Sequence, residues 1–153
     1  GLGVPVHAMQ PLPPEEWVLP GRFEVRQLDD GREVVLDVAH SAESLAATLQ
    51  AFRKAWPDVN RAVLFALRDD KIPSRLAAEL GELAPRPEGE DWFVLPAGDH
   101  PRSASPESLA APFSATPLCT MEFPKTPTVF LVTGSTYLVG ALRPQTTLAP
   151  QPV

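Results

Sequence analysis

Cysteine, long apolar runs and positive charge are all scarce in this sequence, and each scarcity excludes a class of protein. The single cysteine, Cys119, cannot form an internal disulfide, so nothing supports an oxidising compartment. We expect Cys119 to be a small buried strand residue rather than a nucleophile. No apolar run reaches the roughly 20 residues of a membrane span, and no basic stretch followed by an apolar one marks a signal peptide. The sequence therefore favours a cytoplasmic protein.

Positive charge is too scarce and too scattered for a protein that binds nucleic acid. The chain has 13 Lys and Arg residues against 19 Asp and Glu, which gives a formal net charge of -6. Proteins that hold phosphate backbones group their basic residues on one face or along one helix. We therefore expect neither nucleic acid nor an anionic membrane as a partner.

The common kinds of metal and phosphate site are also missing. The three histidines, His7, His40 and His100, share no metal-ligand spacing, and one cysteine cannot build a zinc site. The Gly-x-x-x-x-Gly-Lys-Ser/Thr motif of a P-loop does not occur in the 153 residues. We expect no metal ligands in this chain, and no residue that acts as a catalyst in the isolated chain.

Proline, by contrast, is abundant, and the 19 prolines concentrate at the ends and the joints of the chain. Residues 1 to 16 are predicted to be an incoming linker, residues 17 to 143 one domain, and residues 144 to 153 a frayed tail. A length of 153 residues fits one domain with a single substantial core. Gly1 in place of an initiator methionine favours a processed chain or a fragment.

Strand and helix patterns alternate between the two ends. The predicted strands are Phe23 to Leu28, Glu33 to Asp37, Ala62 to Leu67, Trp92 to Leu95 and Thr128 to Thr133. A first helix is predicted from about Ser41 to Trp56, with Leu45, Leu49, Phe52 and Trp56 on one face. A second helix carries Leu76, Leu80 and Leu83. A third helix begins at Ser105-Pro106-Glu107.

This alternation, with buried β-branched strands, predicts an α/β fold. The expected architecture is a three-layer, Rossmann-like, mostly parallel sheet with helices on both faces. The turn Asp29-Asp30-Gly31 joins the first two strands as a hairpin, because glycine accepts the positive φ of such turns, and adds one antiparallel edge strand.

Ligands of such sheets bind beyond the carboxyl ends of the strands. Three junctions therefore matter: Asp37 to Ser41, Leu67 to Lys71, and Thr133 to Tyr137. The first gathers a carboxylate, the imidazole of His40 and a helix N-terminus. Spacing alone favours a simpler interpretation of this junction, in which Asp37 and Ser41 cap a turn and His40 is a surface residue.

Five short motifs occur in the order found in the folylpolyglutamate synthases. They are Leu19-Pro20-Gly21-Arg22-Phe23-Glu24, Leu36-Asp37-Val38-Ala39-His40-Ser41, Phe65-Ala66-Leu67-Arg68-Asp69-Asp70-Lys71, Pro101-Arg102-Ser103-Ala104 and Gly134-Ser135-Thr136-Tyr137-Leu138-Val139-Gly140. The first two resemble the family's Pro-Gly-Arg-x-Glu and Leu-Asp-Gly-Ala-His-Asn, and the last resembles its closing Gly-Ser-x-Tyr-x-Val-Gly. Over residues 17 to 143 the chain thus resembles the C-terminal domain of a folylpolyglutamate or dihydrofolate synthase of the Mur ligase superfamily.

The resemblance implies a function that this domain performs with a second one. The family phosphorylates a folate carboxylate with ATP and Mg²⁺, and the amine of glutamate then attacks the acyl phosphate. A P-loop domain, expected upstream, holds ATP while the C-terminal domain closes over it. Arg22 and Asp37 match positions that face the nucleotide. His40 and Ser135 match positions near glutamate and the reacting carboxylate.

Several departures from the family pattern leave the activity open. Val38 replaces a glycine, Ser41 an asparagine, Ala66 a second glycine and Ile72 an aspartate. The proline-rich stretch from Ala111 to Thr128 leaves no room for a family helix expected there. Three alternatives follow: a module of an active folate:glutamate ligase, a degenerate non-catalytic domain of the same fold, or the C-terminal domain of a Mur ligase that builds cell-wall precursors. We expect the isolated chain to bind ATP weakly and to show no turnover.

Overall fold

The computed structural model describes residues 19–150. Within this range the strands are β1 (Glu24–Gln27), β2 (Glu33–Leu36), β3 (Arg61–Phe65), β4 (Asp91–Val94), β5 (Thr116–Pro117), β6 (Val129–Thr133) and β7 (Thr147–Leu148). The α-helices are α1 (Ala42–Ala55), α2 (Pro73–Leu83), α3 (Pro106–Ala110) and α4 (Thr136–Leu142), followed by a 3₁₀ turn at Arg143–Gln145. The linker predicted for residues 1 to 16 lies outside the described residues.

The strands form one mixed sheet in the order β5-β4-β3-β6-β2-β1-β7. The five strands from β5 to β2 pair in parallel, and the hairpin strand β1 pairs antiparallel with β2. The predicted α/β class and mostly parallel sheet are confirmed. Strand β1 is not the outermost strand, however, because β7 pairs antiparallel with its free side.

Part of the tail predicted for residues 144 to 153 is paired with the domain. Thr146 is buried, and its hydroxyl and carbonyl oxygens accept hydrogen bonds from Arg26 at 2.5 and 2.9 Å. These bonds bring Thr147–Leu148 alongside β1 as a two-residue strand. A strand this short has no periodic pattern to read, so the sequence could not predict it.

Alternate residues of each central strand face opposite layers. In β6, Leu131 faces the layer of α1, α2 and α3, while Phe130 and Val132 face the layer of α4. The loop around Met121 and Phe123 completes the second layer. The predicted three-layer arrangement, with helices on both faces, is thus confirmed.

Helix α1 follows from local sequence in the way predicted. Ser41 caps its N-terminus in a reciprocal capping box with Ser44. Leu45, Leu49 and Phe52 are buried against the sheet. The ring of Trp56, at the C-cap, lies 5.6 Å from that of Phe52.

Three further expectations can be compared with the structure. On α2, Leu76 and Leu80 are buried as predicted, but Leu83 is 46% exposed because it lies in the last turn, beyond the sheet contact. The prediction for Cys119 is wrong: the residue is exposed in the loop after β5, where nearby prolines interrupt strand pairing. No helix forms between Ala111 and Thr128, as the prolines predicted.

A buried carboxylate joins the two ends of the domain. Glu24 is 1% exposed and accepts hydrogen bonds from the backbone N–H of Gly21 and from Arg26 and Arg143, at 2.9 to 3.0 Å. Burial alone would raise the pKa of Glu24, but the bonds from Arg143, Gly21 and Arg26 outweigh burial and leave the pKa lowered. The glutamate of the Pro-Gly-Arg-x-Glu motif therefore fixes the segment that carries Arg22 to the end of α4.

Phe52 provides the direct test of how α1 packs. Phe52→Ala should lower the free energy of unfolding by about 3–5 kcal/mol, because it leaves a cavity between α1 and the sheet. Lys54→Ala, on the exposed side of the same helix, is the matched control and should change it by less than about 0.5 kcal/mol. Urea unfolding followed by circular dichroism measures both. A cost below about 1 kcal/mol for Phe52→Ala would contradict the placement of the helix face.

Glu24 should make the stability of the domain depend on acid pH. Its folded pKa is lower than its ordinary value of 4.5, so its contribution is complete above that value and is lost as the pH falls through the folded pKa. Glu24→Gln should cost about 1–3 kcal/mol at neutral pH and converge with the wild type in acid. The exposed Glu82→Gln on α2 is the control. An equal loss at every pH would contradict the role of this charge.

Candidate functional site

A cleft of about 450 Å³ opens at the carboxyl ends of three neighbouring strands, β3, β6 and β2. Its lining comes from the loops after those strands: His40, then Leu67, Arg68, Asp70 and Lys71, and then Gly134 to Tyr137. We refer to it as the strand-end cleft. All three junctions that the sequence analysis singled out meet here, because the carboxyl ends of parallel strands lie at one edge of the sheet.

Backbone hydrogen bonds hold the first and third of these loops together. The N–H of Gly134 donates to the carbonyl oxygen of Ala39 at 2.9 Å, and the N–H of Asp37 donates to that of Val132 at 3.0 Å. His40 and Ser135, 95 positions apart in sequence, are therefore brought to the same cleft by the extension of strand pairing past β2 and β6.

Gly134 is the residue that allows the third loop to pass over β3. Its φ is +94°, a conformation that L side chains rarely adopt. A β-carbon there would overlap the carbonyl oxygen of Ala66 and lie 2.5 Å from the ring of Phe65. The glycine of the Gly-Ser-x-Tyr motif is thus required for close packing between strand ends.

His40 and Ser135 both retain hydrogen-bonding groups that can serve a ligand. The Nδ1 of the exposed His40 lies 3.2 Å from the carbonyl oxygen of Val38, which can only accept, so Nδ1 carries the proton and Nε2 is left as an acceptor. Ser135 is 4% exposed and caps α4, where its Oγ accepts from the N–H of Tyr137 at 3.2 Å. Its own hydroxyl hydrogen remains able to donate.

Arg22 and Asp37 lie at the same edge of the sheet but do not line the strand-end cleft. The Asp37 carboxylate accepts from Phe23 N–H at 2.9 Å, Ala39 N–H at 2.9 Å and Thr48 Oγ1 at 3.0 Å. Phe23 has a φ of +46°, which is unusual for a residue with a side chain, and Asp37 stabilises it in that conformation. Of the four candidate site residues, His40 and Ser135 therefore share the cleft, while Arg22 and Asp37 lie outside it at the same edge of the sheet.

Val38, which stands where the family has a glycine, has no backbone strain. Among the described residues, only Phe23 and Ser114 have positive φ without being glycine, so Val38 has an ordinary backbone conformation. Its side chain packs on the core layer that contains α4, and a β-carbon added at Gly21 would lie 2.9 Å from it. The valine fills space next to Gly21, and His40 still lines the cleft.

Charged side chains surround the second loop of the cleft. Arg102 pairs with Asp69 at 3.2 Å and approaches Asp70 at 3.9 Å, while Arg68 approaches Asp70 at 3.8 Å. These pairs are about half exposed, so they add little to stability. Sequence reasoning missed Arg68, which occupies a variable position of the motif and gave no signal of its own.

His100 packs against Tyr137, one of the residues that line the cleft. Its ring lies 3.9 Å from that of Tyr137, and its Nδ1 accepts the N–H of Arg102 at 3.1 Å. The segment Pro101-Arg102-Ser103-Ala104 is thereby placed beside the Gly-Ser-x-Tyr motif.

The described range offers neither a metal site nor a membrane-spanning helix. No three His, Cys, Asp or Glu side chains between residues 19 and 150 are grouped so that they could hold a metal ion. Over the same residues, every helix is too short or too polar to cross a membrane.

Gly134→Ala tests the packing at the base of the cleft. The added methyl group would collide with Ala66 and Phe65 and force a strained φ, so we expect a loss of at least about 2 kcal/mol in stability. Gly140→Ala is the matched control, since that position is inside α4 with open space around it. It should be neutral or stabilise by up to about 1 kcal/mol. Equal behaviour of the two variants in thermal unfolding would contradict this account.

Comparison with solved structures identifies proteins of the same fold. The chain is similar to a bifunctional folylpolyglutamate synthase/dihydrofolate synthase from Yersinia pestis, solved with AMPPNP and a manganese ion, at 25% identity and a TM-score of 0.61. The match covers 81% of this chain and 30% of that one. A folylpolyglutamate synthase from Thermotoga maritima matches at 21% identity and a TM-score of 0.64, over 83% and 30% of the two chains. This chain therefore spans about a third of the length of these enzymes.

The sequence was also compared with curated proteins and with family models. The comparison with curated proteins gave no match. The model of the Mur ligase glutamate ligase domain matches residues 21–133, a range that runs from the start of the Arg22 segment to the end of β6. The resemblance that the motifs suggested is confirmed, and the chain belongs to the Mur ligase glutamate ligase domain family.

Proposed function

We propose that this chain is the C-terminal domain of an ATP-dependent folate:glutamate ligase, a folylpolyglutamate synthase, which closes over ATP and helps to bind glutamate. The observation that carries the proposal is the strand-end cleft, where His40 and Ser135 meet in a fold similar to that of folylpolyglutamate synthases. One similar structure, at 26% identity, was solved with manganese, AMPPNP and L-glutamate bound.

His40 and Ser135 suit the amino-acid side of such a reaction. An acceptor at His40 Nε2 can receive a hydrogen bond from the amine that must attack the activated carboxylate, and can hold that amine in line. The Ser135 hydroxyl can donate to a carboxylate oxygen. Both side chains are held by loops with backbone hydrogen bonds, so little ordering is required when a ligand binds.

Arg22 and Asp37 suit the nucleotide side. The exposed Arg22 guanidinium can pair with phosphate oxygens as a fork. Asp37 uses three of the roughly four lone-pair positions of a carboxylate within the protein, which leaves one for a ribose hydroxyl. Asp37 would then hold Arg22 in place and also contact the nucleotide.

The remaining parts of the reaction require a partner domain. The sequence has no P-loop, and the described residues offer no metal site, so we assign the triphosphate and its Mg²⁺ to a P-loop domain, expected upstream in the same polypeptide. Folate and glutamate would be the substrates. A cytoplasmic location is part of this proposal.

A non-catalytic domain of the same fold is the main alternative. Ser41 uses its hydroxyl to cap α1, and Ile72 is 62% exposed where the family has an aspartate. These two positions have lost polar groups that could face a ligand. A domain of a cell-wall Mur ligase is a further alternative, since the matching family model is that of the Mur ligase glutamate ligase domain.

The alternatives can be separated by joining this chain to the P-loop domain of the Yersinia pestis enzyme. We expect ADP release that requires both folate and L-glutamate, and none from this chain alone. His40→Ala should lower glutamate-dependent turnover at least about tenfold, whereas Glu82→Ala on α2 should not. ATP hydrolysis without glutamate transfer would support the non-catalytic alternative, and turnover with cell-wall precursors instead of folates would support the Mur branch.

A further inference from the structure

Arg68 holds a polar group that the folded domain leaves without a partner. Of the side-chain nitrogens and oxygens in the described part of the chain, only Arg68 Nε is buried without a hydrogen bond. Its nearest carboxylate, Asp70, lies 3.8 Å from a terminal nitrogen of the guanidinium, beyond hydrogen-bond distance. Buried N–H donors normally have acceptors, so Arg68 is a guanidinium whose hydrogen bonds the folded domain does not complete.

The backbone around Arg68 is firmly held at the cleft. Arg68 forms an antiparallel bridge with Ser103, and its carbonyl oxygen accepts from the N–H of Lys71 at 3.2 Å. On either side, Asp69 N–H donates to Arg102 and Ala104 N–H donates to Leu67, at 2.8 and 2.9 Å. The Arg68 side chain thus starts from a fixed point on the cleft wall.

The charged group around Arg68 contains three cations, Arg68, Lys71 and Arg102, and two carboxylates, Asp69 and Asp70, so it carries one positive charge in excess. Asp69 pairs with Arg102 at 3.2 Å, and Arg102 also approaches the carboxylate of Asp70. Lys71 adds a second cation to the lining of the cleft. The Arg68 side chain is 41% exposed, so its terminal nitrogens remain accessible from the cleft while Nε is sheltered from water.

We propose that Arg68 is a specificity-determining residue that binds a carboxylate of the incoming dicarboxylic amino acid through its two terminal nitrogens, which are the donors open to the cleft. This fork matches the two oxygens of a carboxylate. The proposal rests on the proposed function for the identity of the amino acid. In this proposal the Arg68 guanidinium recognises the negative charge of the amino acid, and it lies next to the hydrogen-bonding groups of His40 and Ser135.

The test is an NMR titration of the 153-residue chain with L-glutamate, in the absence of ATP and folate. We expect saturable shifts confined to the strand-end cleft, and none with glutaramide, which keeps the carbon chain without a carboxylate. Arg68→Lys keeps the charge but loses the fork, so the affinity should fall at least about tenfold. Arg102→Lys, the matched control in the same ion network, should stay within about twofold of the wild type.

Amide dispersion in the same spectra shows whether each variant is folded, and Arg68→Gln replaces Arg68→Lys if the latter is not. Wild-type affinity in the Arg68 variant, equal binding of glutaramide, or no saturable binding by the wild-type chain would each overturn the proposal. Because the titration involves no ligation, the two proposals can fail separately. If glutamate binding depends on Arg68 but the chain joined to a P-loop domain shows no ligation, only the proposed function is contradicted. If that fusion ligates glutamate but the Arg68 variants bind glutamate as tightly as the wild type, only the assignment of Arg68 is contradicted.

Discussion

The close approach of β6 to β3 at Gly134 is the contact on which the rest of the site depends. Only a residue without a side chain fits over Ala66 and Phe65 at a φ of +94°. Because the chain can pass there, Gly134 N–H reaches Ala39 and joins the loop after β2 to the loop after β6. His40 and Ser135 share one cleft as a consequence of this backbone packing.

A second constraint connects the edge that carries Arg22 to the core. Asp37 stabilises the left-handed conformation of Phe23, and Glu24 binds both the Gly21 backbone and Arg143 next to α4. The motif residues around Arg22 therefore have mainly internal partners, and Arg22 itself is the exposed group that they present. In Pro-Gly-Arg-x-Glu, the arginine is available to a ligand and the glutamate is structural.

The sequence was sufficient for the sheet, the main helices and the three loops of the cleft, and physical reasons explain what it missed. Buried β-branched runs and the spacing of Leu45, Leu49 and Phe52 depend on local periodicity, which can be read directly. Glu90, by contrast, is buried against Arg53 and Arg61, from elements about 30 to 40 positions away. Strand β7 and the unpaired Arg68 Nε likewise result from contacts that only the folded chain creates.

The account rests on the claim that the strand-end cleft is where this domain meets glutamate. A crystal structure of the chain joined to a P-loop domain, with L-glutamate and a non-hydrolysable ATP analogue, tests it most directly. The account predicts L-glutamate in the cleft, within hydrogen-bond distance of His40 and Ser135. Glutamate held entirely by the P-loop domain, with this cleft open to solvent, would contradict it.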